Sequence, residues 1–171
     1  MTSTDIVILA AGKGTRMQSA LPKVLHQLAG QPMLAHVLAA ADTVANGKKI
    51  VVTGHGAEQV EQITATSGSI FVQQTEQLGT AHAVQMAVPH LRLDAKVLIL
   101  YGDVPLISPN TISKMLTAVS AKNISLLTIN LDNPMGYGRI VRNQASEIDS
   151  IIEQKDASPE QLAIKEINTG V

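Results

Sequence analysis

Apolar residues in this chain alternate between short unbroken runs and helical spacing. Residues 6–11 form a continuous apolar run, which predicts a strand covered on both faces of a parallel sheet. Residues 33–44 place Met33, Val37, Ala40, Ala41 and Val44 on one helical face. Residues 49–53 predict a second strand, and 57–65 a short helix with Val60 and Ile63 turned inward. A third strand follows at 69–73. Thr80 caps a helix running to Ala87, before Pro89 and Leu91. Residues 96–101 are a strongly apolar fourth strand. Ser108-Pro109 then gives a cap followed by proline at the first helical position. Ile112, Met115, Leu116 and Val119 fall at i, i+3, i+4 and i+7 behind it. Residues 124–130 read as a fifth strand.

After Leu131 the pattern changes. Asn133 to Gly138 is a turn-rich loop. Residues 139–142 and 147–154 read as antiparallel strands joined across 143–145. Residues 156–161 read as a helical turn, with Ser158 before Pro159. Strand, loop and helix thus repeat in the order of an α/β fold with a largely parallel sheet. Residues 167–171 begin another element and then stop, so the chain is expected to be part of a longer polypeptide.

Composition narrows the chemistry. The chain has 171 residues, 45% of them hydrophobic, which is enough for one domain with a sizeable aliphatic core. One Phe, two Tyr and no Trp leave no stacking platform for single-stranded nucleic acid. A net charge of −1 without a basic run argues against nucleic-acid binding in general. No cysteine is present, which excludes disulfides and thiolate zinc sites. The five histidines, at 26, 36, 55, 82 and 90, show no ligand spacing and read as surface or packing residues. No stretch approaches a membrane span, and Asp5 interrupts any leader-like N-terminus. A cytoplasmic protein fits these features.

The first strand runs into Gly12-Lys13-Gly14-Thr15-Arg16, with Pro22-Lys23 beyond. Gly12 and Gly14 let backbone N–H groups approach a ligand, and successive N–H groups make a concave anion site. Lys13, Arg16 and Lys23 surround it with positive charge. The loop lacks the Walker A spacing, and Met17 stands where the dinucleotide fingerprint needs its third glycine. On its own the loop is also compatible with an unliganded strand-to-helix turn.

Four further segments sharpen the reading: 74–83 (Gln-Thr-Glu-Gln-Leu-Gly-Thr-Ala-His-Ala), 100–106 (Leu-Tyr-Gly-Asp-Val-Pro-Leu), 136–140 (Gly-Tyr-Gly-Arg-Ile) and 166–170 (Glu-Ile-Asn-Thr-Gly). With the opening loop they resemble the uridylyltransferase half of the bifunctional GlmU family, from Asp5 to Val171. The resemblance implies a Rossmann-like α/β domain with a mixed, mostly parallel central sheet. It implies transfer of uridylyl from UTP to N-acetylglucosamine-1-phosphate, giving UDP-N-acetylglucosamine and pyrophosphate for cell-wall precursors. Leu9, Ala10, Ala11 and Gly12 would line the uracil and ribose side, next to Gly14. Arg16 and Lys23 would hold the triphosphate, and Gln74, Gly79 and Thr80 would recognise uracil. Tyr101, Gly102 and Asp103 would sit beside the sugar and the metal, with Asp103 a ligand of Mg²⁺. Gly138, Glu153 and Asn168 would bind the N-acetylglucosamine. Arg16, Lys23 and Asp103 are the catalytic set.

The family's domain continues beyond the Asn-Thr-Gly segment and there supplies a second magnesium ligand. A β-helical acetyltransferase portion, through which the family trimerises, follows it. This chain is therefore expected to carry only the N-terminal part of the transferase domain, without the acetyltransferase or its homotrimer. A related transferase using another base or sugar, or a weakly active nucleotide-binding fragment, are the alternatives.

Overall fold

The computed structural model describes residues 3–12, 14, 17–44 and 46–171. Two compact units divide the chain, 1–122 and 123–171. The first unit is a parallel sheet of β1 (Thr4–Ala10), β4 (Lys49–Thr53), β5 (Ile70–Gln73) and β6 (Lys96–Tyr101), in the order β5-β4-β1-β6. A small antiparallel hairpin, β2 (Gln27–Leu28) and β3 (Gln31–Pro32), and four helices complete it. These are α1 (Met33–Asp42), α2 (Ala57–Thr64), α3 (Thr80–Ala87) and α4 (Pro109–Ala118).

Strand β1 is central, as its unbroken apolar run from Ile6 leads one to expect. Every residue from Thr4 to Ala10 is buried, and both edges are paired, to β4 through Ile6↔Lys49 and to β6 through Leu9↔Tyr101. Val7, Leu9, Ile50 and Val52 pack against Ala83 and Ala87 of α3. The two small alanines let that helix lie close on the sheet. Chain order along the sheet reverses between β1 and β6, which makes their carboxyl ends a topological switch point.

The opposite end of β1 is tied by charge. The carboxylate of Asp5 is fully buried. It accepts from the backbone N–H of Lys48 at 2.8 Å and of Arg92 at 2.9 Å, and from the Arg92 guanidinium Nε at 3.0 Å and Nη2 at 2.5 Å. Burial alone pushes this carboxyl up, but the Arg92 side-chain bond, the two backbone bonds and the Arg92 charge outweigh it. Its pKa therefore lies below the usual value.

The second unit is an antiparallel sheet, β7 (Thr128–Asn130), β10 (Glu166–Asn168), β8 (Arg139–Arg142) and β9 (Ile148–Ile152), in that order. A short helix, α5 (Pro159–Leu162), starts at Ser158 with a reciprocal capping box to Gln161. Glu166 accepts from Arg142 Nε at 2.8 Å and Nη2 at 2.7 Å, and from Thr128 Oγ1 at 2.7 Å. The Arg142 bonds, then the Thr128 bond, hold its pKa down at about 2.

Several elements depart from the expectation. The fifth strand begins only at Thr128 and joins the antiparallel sheet. Ile124 is exposed. The ladder stops there because its partner β10 ends at Asn168 and the chain turns at Gly170 (φ +86°). Leu127 pairs irregularly instead, its N–H donating to Val171 O at 2.7 Å. Ile63 is exposed, because α2 turns Ala57, Val60 and Thr64 inward. Helix α1 buries Leu34 and Leu38 alongside Val37, Ala40 and Ala41, and ends before Val44. Val119 lies beyond α4 as its C-cap. Strand β9 ends before Glu153.

Asp5→Ala leaves the half-exposed Arg92 guanidinium and two backbone donors without their acceptor, and is expected to cost about 2 kcal/mol. Chemical denaturation checks this; a loss under about 1 kcal/mol contradicts it. Glu166 is ionised in the folded state down to about pH 2, so its contribution is present above the unfolded value near 4.5 and is lost as pH falls through that window. Glu166→Gln is expected to flatten stability against pH between those limits. An unchanged acid limb contradicts the assignment.

Candidate active site

A cleft of about 350 Å³ opens at the carboxyl ends of β1 and β6. Its floor is Leu9, Ala10, Ala11 and Gly12, where β1 leaves the sheet, and its walls include Lys23, Gln74, Thr80, Tyr101 and Asp103. This is where open α/β sheets hold ligands. Backbones approach closely around the cleft. Gly102 N–H donates to Leu9 O at 2.9 Å, placing Gly102 behind the wall that Tyr101 and Asp103 form. A Cβ on Gly14 (φ +59°) would stand 2.9 Å from Lys23 Cβ, so Gly14 lets the loop press against the lysine stem. Gly14 and Gly102 support the cleft without lining it. Lys13, Thr15 and Arg16, including the expected phosphate contact of Arg16, lie outside the described residues.

Lys23 stands in the 3-10 turn Lys23–Leu25, which Val24 and Leu25 anchor in the core. Its Nζ lies 2.5 Å from Asp103 Oδ2. The two side chains keep 37% and 26% of their exposure, so the pair is water-screened and worth ~1 kcal/mol at most. Such a pair is easily exchanged for a multiply charged ligand. Among the described residues no group of three or more potential metal-ligating side chains occurs. Of the described residues that line the cleft, Asp103 alone offers a hard carboxylate.

The segment after β5 forms the third wall. Gln74 is buried, its backbone N–H donating to Thr53 O at 2.7 Å. Its side-chain Nε2 donates to Gly79 O at 3.1 Å and meets His82 Nδ1 at 3.0 Å. Gln77 reaches across to the floor, donating from Nε2 to Ala11 O at 3.0 Å. Gly79 precedes α3 with φ +102° and ψ −178°, backbone that only glycine adopts cheaply. The first N–H groups of α3 have no partner within the helix, and Thr80 brings them to the cleft wall.

In the second unit Gly138, Glu153 and Asn168 lie together. Asn168 N–H donates to Gly138 O at 2.9 Å, and a Cβ on Gly138 would come within 3.5 Å of Glu153 Oε1. Arg139, beside them in sequence, is buried. Its Nη1 donates to Tyr137 O, while its Nε finds no partner among the described residues.

Val24, Gln77 and Ala83 line the cleft and were not among the expected site residues. Val24 and Ala83 carry no chemical signal. Gln77 sits in the quoted 74–83 segment, but its span to Ala11 is a tertiary contact that spacing does not show. His82, a surface or packing residue by sequence, bonds Gln74.

A parallel sheet with its cleft at the switch point beside a glycine loop defines an α/β ligand-binding domain of the nucleotide-binding kind. The chain belongs to the MobA-like NTP transferase domain family, whose pattern matches residues 6–158. It is 57% identical over 169 residues to the bifunctional protein GlmU of Stutzerimonas stutzeri (strain A1501), covering 99% of this chain and 37% of that protein. To the bifunctional protein GlmU of Cellvibrio japonicus (strain Ueda107) it is 54% identical over 167 residues, again covering 37% of the relative and 98% of this chain. The chain thus spans somewhat over a third of these relatives' length. Among solved structures, a nucleotidyl transferase from Methanothermobacter thermautotroptrophicus superposes with a TM-score of 0.69 at 25% identity, over 81% of this chain and 69% of that one. A putative glucose-1-phosphate thymidylyltransferase from Bacillus anthracis shares the fold, with a TM-score of 0.79 at 18% identity over 98% and 70% of the two chains.

Gly79→Ala is expected to cost about 1–3 kcal/mol, because alanine is strained at this φ and ψ. Chemical denaturation against the parent chain checks this; equal stability contradicts the strain.

Proposed function

We propose that the cleft binds UTP and that the chain is the nucleotide-holding part of a uridylyltransferase making UDP-N-acetylglucosamine. The observation that carries this reading is the Lys23–Asp103 pair, at 2.5 Å, in the same cleft as Ala11 and Gly12 at the end of β1. The high identity to GlmU proteins supports the choice of base and sugar.

In the reaction, an oxygen of N-acetylglucosamine-1-phosphate attacks the α-phosphorus of UTP. A P–O bond forms there, the bond from that phosphorus to the bridging oxygen breaks, and pyrophosphate leaves with the electron pair. The attacking phosphate is already ionised near neutral pH, so no strong base is needed. Catalysis rests on positioning and charge neutralisation. Lys23 leaves Asp103 for the triphosphate and offsets the repulsion between two anionic reactants. Ala11 and Gly12 present backbone beside the phosphates, and Arg16 adds charge from the same loop. Gln74, Gly79 and Thr80 hold the base.

Asp103 fits Mg²⁺: it is a lone hard carboxylate, and this ion takes one or two such ligands with phosphates and waters completing its shell. When bound, Mg²⁺ supplies positive charge that neutralises the phosphates. Gly138, Glu153 and Asn168 take the sugar, with the Glu153 carboxylate accepting from hydroxyls. A cytoplasmic location belongs to the same reading. In the described residues no helix is long and apolar enough to cross a membrane.

Pyrophosphate release from UTP plus N-acetylglucosamine-1-phosphate, with and without Mg²⁺, tests the reaction, and calorimetry with UTP tests the cleft. Lys23→Ala is expected to weaken UTP binding about 10- to 100-fold, the worth of charge-assisted hydrogen bonds. Asp103→Asn is expected to remove the Mg²⁺ dependence of binding. Unchanged affinity in the first variant, or full metal dependence in the second, contradicts the assignment.

A further inference from the structure

We propose that His82 is a positioning residue that sets base choice, by holding the Gln74 amide so that only its oxygen is offered to the nucleobase. The inference rests on the UTP reading of the cleft and adds to it the residue that makes the base contact selective.

Gln74 is only 4% exposed, yet it lines the cleft. Its amide nitrogen carries two hydrogens and no acceptor capacity. One hydrogen goes to Gly79 O at 3.1 Å, a group that only accepts. The second points to His82 Nδ1 at 3.0 Å. Because the amide nitrogen is donor only, Nδ1 must be the acceptor, and the proton of the neutral ring sits on Nε2. Both amide hydrogens are thereby spent. Oε1 is left without a hydrogen bond among the described residues, and it is an acceptor.

An acceptor at the base wall reads a donor on the base. Uracil presents an N–H at N3, whereas cytosine presents a lone pair there, which would face the Gln74 oxygen in repulsion. Gly79 O alone opposes a flip of the amide with one hydrogen bond. With His82 in its Nε2–H tautomer the flip costs two hydrogen bonds and sets the amide oxygen against two acceptors, whereas a flip that keeps one of them must also move the ring proton to Nδ1. The backbone of Gln74 cannot relax to compensate, since its N–H is tied to Thr53 O at 2.7 Å. His82 itself stands in the first turn of α3, on the same segment as Gly79. One short element therefore supplies both acceptors.

The test is the ratio of UTP to CTP affinity, measured calorimetrically with Mg²⁺ on the whole chain. His82→Phe removes the acceptor and keeps a ring; His82→Ala removes both. His82→Asn returns an acceptor, because asparagine's Oδ1 sits at the same bond distance from Cβ as Nδ1. Wild type is expected to prefer UTP. The Phe and Ala variants are expected to lose about tenfold of that preference, the worth of one hydrogen bond, and the Asn variant to recover most of it. Should one of the first two variants not fold, the other carries the comparison. A wild-type ratio retained in either, or an Asn variant no better than Ala, overturns the role of His82 while leaving UTP binding intact. Equal wild-type affinity for UTP and CTP overturns the selectivity argument at Gln74 itself. Failure of wild type to bind either nucleotide overturns the UTP reading and this inference together.

Discussion

Strand β1 has no freedom. Seven consecutive residues are buried and paired to β4 from Ile6 to Ala10 and to β6 from Thr4 to Leu9, and Asp5 is pinned at the start by Lys48 and Arg92. This rigidity ends abruptly after Ala10, where the chain leaves the sheet at the switch point. Backbone groups that the ladder no longer satisfies must find other partners. Ala11 O finds Gln77, and Gly54 allows the turn after β4 to approach Ala11 to within van der Waals contact that a larger residue would close. The cleft is thus a consequence of where the parallel pairing stops, and its floor inherits the precision of the sheet beneath it.

Two kinds of wall meet this floor. One is electrostatic and exchangeable: Lys23 and Asp103 face each other at partial exposure, held only by a screened ion pair. Opposite charges set side by side give the site something to offer both to phosphates and to a cation, at little cost in breaking the pair. The other wall is directional and fixed. Gln74, itself buried, is tied through its amide nitrogen to Gly79 and His82 by part-buried hydrogen bonds, where leaving one unmade costs desolvation. Flexibility for charge and rigidity for shape are what nucleotide recognition followed by phosphoryl chemistry requires.

Much of the first unit was legible in the sequence because local and global signals agree there. The apolar runs at 49–53 and 96–101 became strands with those bounds, and Ser108-Pro109 became a side-chain cap with proline in the first turn. The cleft's floor was legible for the same reason: a strand ending in glycine declares where backbone becomes available. What could not be read depends on tertiary partners. Residues 124–127 have the apolar content of a strand, but their partner turns away at Gly170. Ile63 has helical periodicity in its favour, yet the face of α2 is chosen by Ala57, Val60 and Thr64. The histidine at 82 shows no ligand spacing, and its meaning emerges only when residue 74, eight positions earlier, folds onto the same helix end.

The central claim is that the end of β1 and the start of α3 together embrace a nucleoside triphosphate. Titrating the isotope-labelled chain with UTP and Mg²⁺, and following backbone amide resonances, examines both elements at once. The account predicts saturable shifts concentrated at Ala11, Gly12, Gly79 and Thr80. Binding that leaves those amides unmoved while perturbing resonances elsewhere would contradict it.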